Sequence, residues 1–392
     1  MNRNLLLMFV CYCCTIIVCS CKSPEQDRIG RIDIAEGLNN IALMNLSEVA
    51  KSIEYIPLET TEESLIGHIV SILYDKDHIY IADRNGSIKI FDQTGKYQRS
   101  INRLGRGPEE YIMFFSVSLS GKNIAVTTMD DIVVYDVYGN FIRKVGIPKV
   151  EGYNIFTPVV SGENCFTASL INLSSDSKYC AVVYDSLLNI RKMISAPSAP
   201  GGQVTSGSSG NEVRTIMLPT RLLPYNGETR IYVPEATEIL SIDQFDVVDT
   251  VFVIDYGQYG VPDGVTANAS ADSRYVSPLS FIESEDYLFM NMSTRATISG
   301  TFTANFLYNK RTMQTHVLYD IIEKKKGFRD DIEGGPEFWP SSTLDNKTLI
   351  SSVSAISMME HKFEDDAPDK TKQIIPGLTE NSNPIITIVE LK

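Results

Sequence analysis

Cys21 is the residue whose neighbours predict the most specific chemistry. It follows the apolar segment Leu5 to Val18, and Val18-Cys19-Ser20-Cys21 has the pattern cleaved by the lipoprotein signal peptidase: an aliphatic residue, two small residues and an obligatory cysteine. The cysteine is obligatory because its thiol carries the diacylglycerol before cleavage, and the apolar segment is too short for a permanent spanning helix. We predict that residues 1–20 are a lipoprotein signal peptide and that lipid is attached to Cys21. An ordinary secretory signal peptide is the alternative.

The sequence after Cys21 predicts the compartment. Residues 21–45 are interpreted as the lipid-bearing cysteine and a polar tether, and no later stretch reaches the roughly 20 apolar residues of a spanning helix. Lys22 stands where Asp would favour retention in the inner membrane, which predicts an outer-membrane lipoprotein facing the periplasm or the cell surface. The membrane is therefore an expected partner, through lipid. Nucleic acid is not an expected partner, because its binding depends on neutralising phosphates with basic residues and the net charge of this chain is −14.

The residue types give metal and cofactor chemistry little support. The four histidines are dispersed, and only Cys165 and Cys180 lie outside the signal segment, so a zinc site of histidines or of four sulfurs is hard to assemble. Gly105-Arg106-Gly107 begins like a dinucleotide fingerprint, but residue 110 is Glu and no helix signal follows. The nucleophile motif Gly-x-Ser-x-Gly is absent from the sequence. We predict no cofactor.

One short motif occurs twice and carries side chains suited to binding. Gly107-Pro108-Glu109-Glu110-Tyr111 and Gly335-Pro336-Glu337-Phe338-Trp339 both read Gly-Pro-Glu-x-aromatic. One interpretation is structural, since Gly permits a sharp reversal, Pro fixes φ and the aromatic ring fills a gap. The other is a binding surface, because arginine pairs with anionic groups and aromatic rings stack on sugars or grip peptides. The candidate binding residues are Arg103, Arg106, Glu109, Glu110, Tyr111, Glu337 and Trp339.

Strands must position these side chains. Apolar residues alternate with period two along most of the chain, and the clearest hairpin joins His78–Asp83 to Ser87–Asp92 through Asn85-Gly86. The end of this unit, Phe91-Asp92-x-x-Gly95, returns as Tyr135-Asp136-x-x-Gly139 and, in weaker form, three further times. Four-stranded repeats about 45 residues apart are typical of the blades of a β-propeller.

The predicted fold class is therefore all-β, a six-bladed β-propeller over residues 46–392. The sixth blade lacks a fourth strand, and Ser52–Leu58 can supply it from the N-terminus, so that the ring closes and leaves no open sheet edge. Two stacked β-sandwiches are the alternative. The blades are predicted to begin near Gly67, Phe114, Thr157, Arg221, Tyr275 and Ser341.

Two cysteines remain in the predicted propeller. Cys165 and Cys180 fall on the second and third strands of the third blade, where a cross-strand disulfide requires a matching register. We predict that both are reduced, small core residues, with a disulfide as the alternative.

Several segments together point to a known family. They are Tyr55-Ile56-Pro57-Leu58-Glu59-Thr60, Leu65-Ile66-Gly67, Phe91-Asp92-x-x-Gly95, Gly105–Tyr111 and Asn383-Pro384-Ile385-Ile386. In their order and spacing these segments resemble the six-bladed β-propeller lipoproteins, a bacterial family named for its fold. The resemblance runs from about residue 46 to the C-terminus, without sharp motifs in blades three to five. It implies the propeller and an outer-membrane or cell-surface location, and it implies no catalytic residues.

The long insertions are expected on one face of the ring. If the first strand of each blade is innermost, loops between blades share a face with loops between second and third strands. Ala199–Gly210, Lys324–Gly335 and Ile356–Asn383 are of these two kinds, and the first is predicted to be a mobile loop. We predict a lipid-anchored, extracytoplasmic binding module for an unidentified protein, peptide or carbohydrate, with its site on this face.

The alternative function is enzymatic, a hydrolase or lyase of the lactonase or amidating-lyase propeller type acting at the channel mouth. It requires three or more carboxylates or histidines to converge there. Calcium in the channel would need carboxylates at the start of the inner strands, whereas those segments contain Ile69, Phe115 and Val159. No metal is therefore predicted.

Overall fold

Short antiparallel strands, most of them joined by tight turns, make up nearly all of the regular structure. The computed structural model describes residues 29–161, 165–171, 178–197, 204–209, 212–217, 220–233, 236–260, 276–297, 300–319, 325–363 and 368–392. Cys21 and the first part of the predicted tether lie outside these residues.

The elements have the following bounds in chain order. The strands are β1 (Gly30–Asp33), β2 (Ile41–Ala42), β3 (Ala50–Pro57), β4 (Ile69–Tyr74), β5 (His78–Asp83), β6 (Ile88–Asp92), β7 (Tyr97–Ile101), β8 (Ser116–Ser120), β9 (Asn123–Thr127), β10 (Asp131–Asp136), β11 (Phe141–Gly146), β12 (Asn154–Ser161), β13 (Cys165–Ile171), β14 (Tyr179–Asp185), β15 (Ile190–Ser195), β16 (Val204–Ser209), β17 (Glu212–Met217), β18 (Arg221–Tyr225), β19 (Glu228–Tyr232), β20 (Glu238–Ile242), β21 (Val248–Asp255), β22 (Val276–Glu283), β23 (Tyr287–Thr297), β24 (Gly300–Asn309), β25 (Gln314–Leu318), β26 (Ser342–Thr343), β27 (Thr348–Val353) and β28 (Ile385–Leu391). The α-helices are α1 (Ile34–Asn39), α2 (Ala355–Glu360) and α3 (Asp369–Lys372), and 3₁₀ turns occupy Leu46–Glu48, Gly257–Tyr259 and Ile375–Gly377.

Six of the sheets are the blades of a β-propeller. Blades 1 to 5 contain β4–β7, β8–β11, β12–β15, β18–β21 and β22–β25, and blade 6 contains β26–β28 with β3. The first strands of neighbouring blades contact one another around the whole circle, from β4 to β8 and finally from β26 back to β4. These first strands therefore line a central channel, and the predicted six-bladed propeller is confirmed. The first strand of every blade begins within three residues of its predicted start.

The ring closes through an N-terminal strand, as predicted. β3 pairs antiparallel with β28 as the outermost strand of blade 6, with Ile385 opposite Pro57 and Ile388 opposite Glu54. One sheet thus joins both ends of the propeller, so that the first and last blades cannot separate without breaking a strand ladder.

The core is divided among the gaps between blades. Six clusters of buried apolar side chains each combine residues of two neighbouring blades. Large aromatic rings such as Tyr80, Tyr135 and Tyr308 lie fully buried in these clusters. Each blade is therefore stabilised mainly by burial against its two neighbours.

The predicted tether needs correction, because part of residues 21–45 belongs to the propeller. β1 pairs parallel with β21 on blade 4, and β2 pairs parallel with β25 on blade 5. Ile32 and Ile34 have no exposed surface, and a Cβ on Gly37 would lie 2.9 Å from the Phe306 ring. The segment packs here because β21 and β25 are outermost strands with free edges and its isoleucines fit the gap between blades. The segment from Gly30 to Ala42 is therefore part of the folded domain.

The predicted mobile loop Ala199–Gly210 also needs correction. Its residues 204–209 form β16, which pairs with β17 in a separate two-stranded sheet, while its other residues lie outside the described part of the chain. β17 contains Val213, Thr215 and Ile216, whose branched side chains favour strands and give the Gly- and Ser-rich segment a partner.

Cys165 and Cys180 lie on the second and third strands of blade 3, as predicted, but out of register. Cys165 is opposite Asp185, five positions along β14 from Cys180. At about 3.3 Å per residue this offset exceeds the roughly 7 Å Cα separation that a disulfide can span. Cys180 is a fully buried free thiol whose pKa burial raises to about 12, which fits the predicted role of a small core residue.

Candidate functional site

Strand order and contacts assign every described connection to one of two faces or to the outer edge of the ring. Connections between blades and turns between second and third strands lie on one face, which we call the loop-rich face. It includes residues 58–68, 102–115 and 325–341, together with the described parts of 354–384. Turns between first and second strands lie on the other face, the turn face, where they are short. Turns between third and fourth strands are also short and lie at the outer edge of the ring, where Gly95 and Gly139 contact Glu59 and Arg103 of the preceding connections. The predicted asymmetry therefore exists among the described residues.

The Gly-Pro-Glu loop between blades 1 and 2 is anchored by its aromatic residue. Tyr111 is 2% exposed, and its hydroxyl donates a 2.7 Å hydrogen bond to the carbonyl of Gly86. Its ring packs edge-on against Phe114 and Tyr135, and the hydroxyl of Tyr135 donates to the carbonyl of Glu109 at 2.6 Å. Tyr111 therefore fills the gap between blades and is not available to a ligand.

The charged residues of this loop divide into two groups. The carboxylate of Glu110 accepts a 2.8 Å hydrogen bond from the amide of Gly107, and a Cβ on Gly105 would lie 1.9 Å from it. Arg103 donates to the carbonyl of Gly139 at 3.2 Å. Arg106 and Glu109 are exposed. Glu110 and Arg103 thus hold the loop in place, and Arg103, Arg106 and Glu109 all present charge to solvent.

The second Gly-Pro-Glu loop is also held by internal contacts. The Trp339 ring is stacked on Phe328 and edge-on to Phe289, with centroids 6.1 and 5.6 Å away. Glu337 forms a 2.8 Å ion pair with Lys325. Trp339 is therefore part of the core between blades 5 and 6, and the charge of Glu337 is compensated.

Asp330 organises the start of this second loop. Its buried carboxylate accepts hydrogen bonds from the Tyr55 hydroxyl at 2.8 Å and from the amides of Ile332, Glu333 and Gly335. Burial, with the nearby Asp330 charge, holds the pKa of Tyr55 well above its usual value, so the tyrosine stays a donor. The two loops occupy different gaps, with blades 6 and 1 between them, and the structure does not combine them into one site.

The contacts of Asn383 explain the sequence motif Asn383-Pro384-Ile385-Ile386. Its side-chain amide donates to the carbonyls of Glu59 and Ser64 at 2.8 and 3.0 Å, and its Oδ1 accepts from the amide of Ile66. The side chain is 1% exposed. Asn383 therefore fastens the start of β28 to the connection between blades 6 and 1, and its role is structural.

Arg221 is a candidate that the sequence motifs did not reveal. It is the first residue of the innermost strand of blade 4, at the loop-rich end of the channel. Its side chain is accessible to solvent, yet surrounding protein lowers the pKa of its guanidinium by desolvation. Among the described residues, its guanidinium has no hydrogen-bond or ion-pair partner.

Exposed apolar side chains lie at the same end of blade 2. Ile112, Met113 and Met129 are 66%, 55% and 55% exposed. The amide of Phe115 donates to the carbonyl of Thr127 at 2.8 Å, which brings the chain before β8 alongside the turn after β9. The loop-rich face thus offers an apolar surface on blade 2 and an unpaired cation on blade 4.

A buried charged cluster occupies the turn face between blades 4 and 5. Glu283 binds Arg230 and Lys310 at 2.8 and 2.7 Å, and both cations lie over the ring of Tyr225. Burial lowers the pKa of Lys310, an effect that Glu283 opposes. Every charge in the cluster has a partner, so it joins the two blades and leaves no free group for a ligand.

Metal binding and membrane spanning find no support in the described residues. No group of three or more His, Cys, Asp or Glu side chains suited to a metal ion occurs among them. No helix in the described part of the chain is long and apolar enough to cross a membrane.

Comparison with known proteins identifies the fold and a family. A family model described as Domain of unknown function (DUF4934) matches residues 29–390. A Bacteroides fragilis structure described as an exported protein has 17% identity and a TM-score of 0.68, over 93% of this chain and 100% of that protein. A luciferin-regenerating enzyme has 10% identity and a TM-score of 0.40, over 86% of this chain and 97% of its own, a likeness too distant to carry an argument. No curated protein sequence matches.

Proposed function

The chain belongs to the family Domain of unknown function (DUF4934), and from its geometry we propose that it is a lipid-anchored, extracytoplasmic binding module. The ligand lies on the loop-rich face at the mouth of the channel, where Arg221 binds an anionic group. The observation that carries this proposal is the desolvated guanidinium of Arg221, which has no partner among the described residues, at the end of the ring that has the long loops.

The chemistry of arginine defines the ligand class. A guanidinium presents a planar fork of donors that matches a carboxylate, sulfate or phosphate, and it stays charged when desolvated. An anion would supply a partner, which the described part of the chain does not provide at this position. The exposed Ile112, Met113 and Met129 provide apolar contact on the same face. An acidic peptide or an acidic sugar combines the two requirements.

The binding site is tested by removing the charge of Arg221 without removing its polar side chain. We expect Arg221→Gln to lose capture of the partner from detergent-solubilised native membranes, with a melting temperature equal to or above that of wild type. Stability is retained because the substitution removes a desolvated charge that has no partner. Arg143→Gln, at an exposed position on β11, is the matched control and retains capture. Equal capture by wild type and Arg221→Gln places the site elsewhere.

The anchor is supported by independent observations. The Bacteroides fragilis protein with the same fold is described as exported, and Val18 to Cys21 have the residue types that lipid attachment requires. We expect Cys21→Ser to release the protein into the soluble fraction or to leave it unprocessed. Cys19→Ser keeps a small residue before the obligatory cysteine and remains anchored. Unchanged processing and membrane partition of Cys21→Ser would contradict the anchor.

The enzymatic alternative, a hydrolase or lyase at the channel mouth, requires converging carboxylates or histidines. No group of three or more His, Cys, Asp or Glu side chains suited to a metal ion occurs among the described residues. No specific observation therefore favours this second function, and we propose the binding module alone.

A further inference from the structure

The turn between the third and fourth strands has the same construction in blades 1 to 4. An aspartate ends the third strand, and its Oδ1 accepts hydrogen bonds from the amides two and four residues later. The residue two positions after the aspartate is thereby held at the tip of the turn. In blades 2, 3 and 4 this residue is Tyr138, Leu187 and Phe245, which are 70%, 80% and 74% exposed.

Each of these three blades exposes a second apolar residue close by. Ile142, Ile190 and Val247 lie on or next to the outermost strands and are 47%, 47% and 50% exposed. We call the six residues Tyr138, Ile142, Leu187, Ile190, Phe245 and Val247 the apolar rim. They occupy three consecutive blades at one edge of the ring, which makes them neighbours along that edge.

Blades 1 and 5 do not repeat this pair, although Met313 in the turn of blade 5 is 37% exposed. The tip of the equivalent turn is Thr94 in blade 1, and in blade 5 the residue two positions after Asn309 is Arg311, which binds Asp286. An isolated exposed apolar residue is ordinary, but a repeated pair on three adjacent blades is a patch. The rigid turns can accept polar residues at this position, as blades 1 and 5 show, so the turn itself does not require apolar ones.

The N-terminal segment joins the propeller beside this rim. β1 runs parallel to β21 with Gly30 opposite Phe252, and β21 begins directly after the turn that carries Phe245. Followed back from Gly30, the chain is directed toward that turn, and Ile29 is 51% exposed. Cys21 is nine residues from Gly30, which limits its distance to about 30 Å even for an extended chain.

We propose that the apolar rim rests in the head-group region of the membrane that holds the lipid anchor. This inference rests on the anchor at Cys21 proposed above. Aromatic and aliphatic side chains are suited to the interface between head groups and acyl chains, where an apolar body is buried and a polar end stays hydrated. Burial of apolar surface must supply the contact, because a net charge of −14 does not favour anionic head groups.

Quenching of tryptophan fluorescence by brominated lipid measures the contact. The full lipid-modified protein is reconstituted into phosphatidylcholine vesicles with plain or brominated acyl chains, and only protein that floats with the vesicles is measured. The variants Leu187→Trp and Phe245→Trp report on the apolar rim. Thr94→Trp, at the same turn position in blade 1, is the matched control, and wild type gives the background of its single tryptophan, Trp339.

We expect brominated lipid to reduce the tryptophan emission of the Leu187→Trp and Phe245→Trp variants. The emission of Thr94→Trp should change no more than that of wild type. Equal behaviour of all variants overturns the membrane contact while leaving the anchor intact. Blue-shifted emission that bromine does not quench also overturns it and assigns the rim to a protein partner or a second copy. Wild type that fails to float shows instead that the anchor is wrong, and the contact fails with it.

Discussion

At the scale of single residues, polar groups in the long loops mostly hold those loops in shape. Asp330 and Asn383 each make several hydrogen bonds to nearby backbone, and Glu110 accepts one from the amide of Gly107. The stacked ring of Trp339 has a similar structural role, so Trp339→Ala would report on packing before it reported on binding. The side chains of Arg106, Glu109 and Arg221 remain accessible to a ligand. A binding role for Arg106 and Glu109, which the sequence predicted, stays a prediction.

Buried tyrosines in the gaps between blades make the free energy of unfolding depend on pH in the alkaline range. Tyr184 is fully buried and donates to the carbonyl of Pro148, and burial raises its pKa to about 12. Below the ordinary tyrosine pKa of about 10, Tyr184 is protonated in both the folded and the unfolded protein, so its contribution to the free energy of unfolding is complete. This contribution is lost as pH rises toward about 12. Each pKa unit corresponds to about 1.4 kcal/mol.

We therefore expect the free energy of unfolding to fall less steeply for Tyr184→Phe than for wild type between about pH 10 and 12. Urea titrations at closely spaced pH values measure the slope. The same variant near pH 8 is the control, because it isolates the loss of the hydrogen bond to Pro148 from ionisation. Identical alkaline slopes would show that Tyr184 ionises equally in both states.

At the scale of elements, the turns after the third strands also position neighbouring blades. Gly95 has φ of +84° in the turn of blade 1, and its carbonyl accepts a 2.8 Å hydrogen bond from Glu59 at the end of β3. A Cβ added to Gly95 would lie 2.1 Å from the carbonyl oxygen of Pro57. The turn therefore needs glycine for its conformation and also for its contact with blade 6.

Alanine substitutions at Gly95 and at a second glycine, Gly121, separate the effect of backbone conformation from the effect of the contact with blade 6. Gly121 has φ of +57° in the first turn of blade 2, and a Cβ there would meet nothing within 4 Å. We expect Gly121→Ala to lower the free energy of unfolding by about 1 kcal/mol through backbone strain alone. Gly95→Ala should cost about 3 kcal/mol or more, because a clash with backbone is added. Similar losses in chemical denaturation would show that the contact with Pro57 is easily relieved.

At the scale of the whole molecule, the N-terminal segment has two structural functions. β3 completes blade 6, and β1, α1 and β2 cover the outer edges of blades 4 and 5. Blades 4, 5 and 6 are consecutive, so these additions lie on the same side of the ring. The 16 residues Gly30–Asn45 therefore act as a clamp across one gap, and their loss would expose two sheet edges.

A charge placed in this clamp tests its contribution. We expect Ile32→Asp to lower the free energy of unfolding by about 3 kcal/mol or more, because it buries an unpaired carboxylate between blades. Ile41→Asp is the control, since Ile41 belongs to the same segment but is 44% exposed. Chemical denaturation measures both variants. Comparable small effects would mean that the segment detaches without disturbing blades 4 and 5.

Much of the architecture was predictable from the sequence because its determinants are local. Period-two alternation specifies strands, Asn85-Gly86 specifies a hairpin, and the repeated aspartate turn marks the end of the third strand. Counting these repeats predicted six blades, and the missing strand of the last blade predicted closure by β3. Each of these features depends on neighbours within a few residues or on the simple need to leave no sheet edge open.

Only the tertiary structure determined which side chains remain available to bind a ligand. Tyr111 and Trp339 have the residue types of binding groups, but the assembled ring buries one in a gap and stacks the other on Phe328. Arg221 has no motif around it and becomes a candidate because the folded chain desolvates it without giving it a partner. Gly30–Asp33 pairs with a strand more than 200 residues away, on an edge that exists only after blade 4 has formed. Desolvation and free edges are properties of the assembled molecule, so no local pattern encodes them.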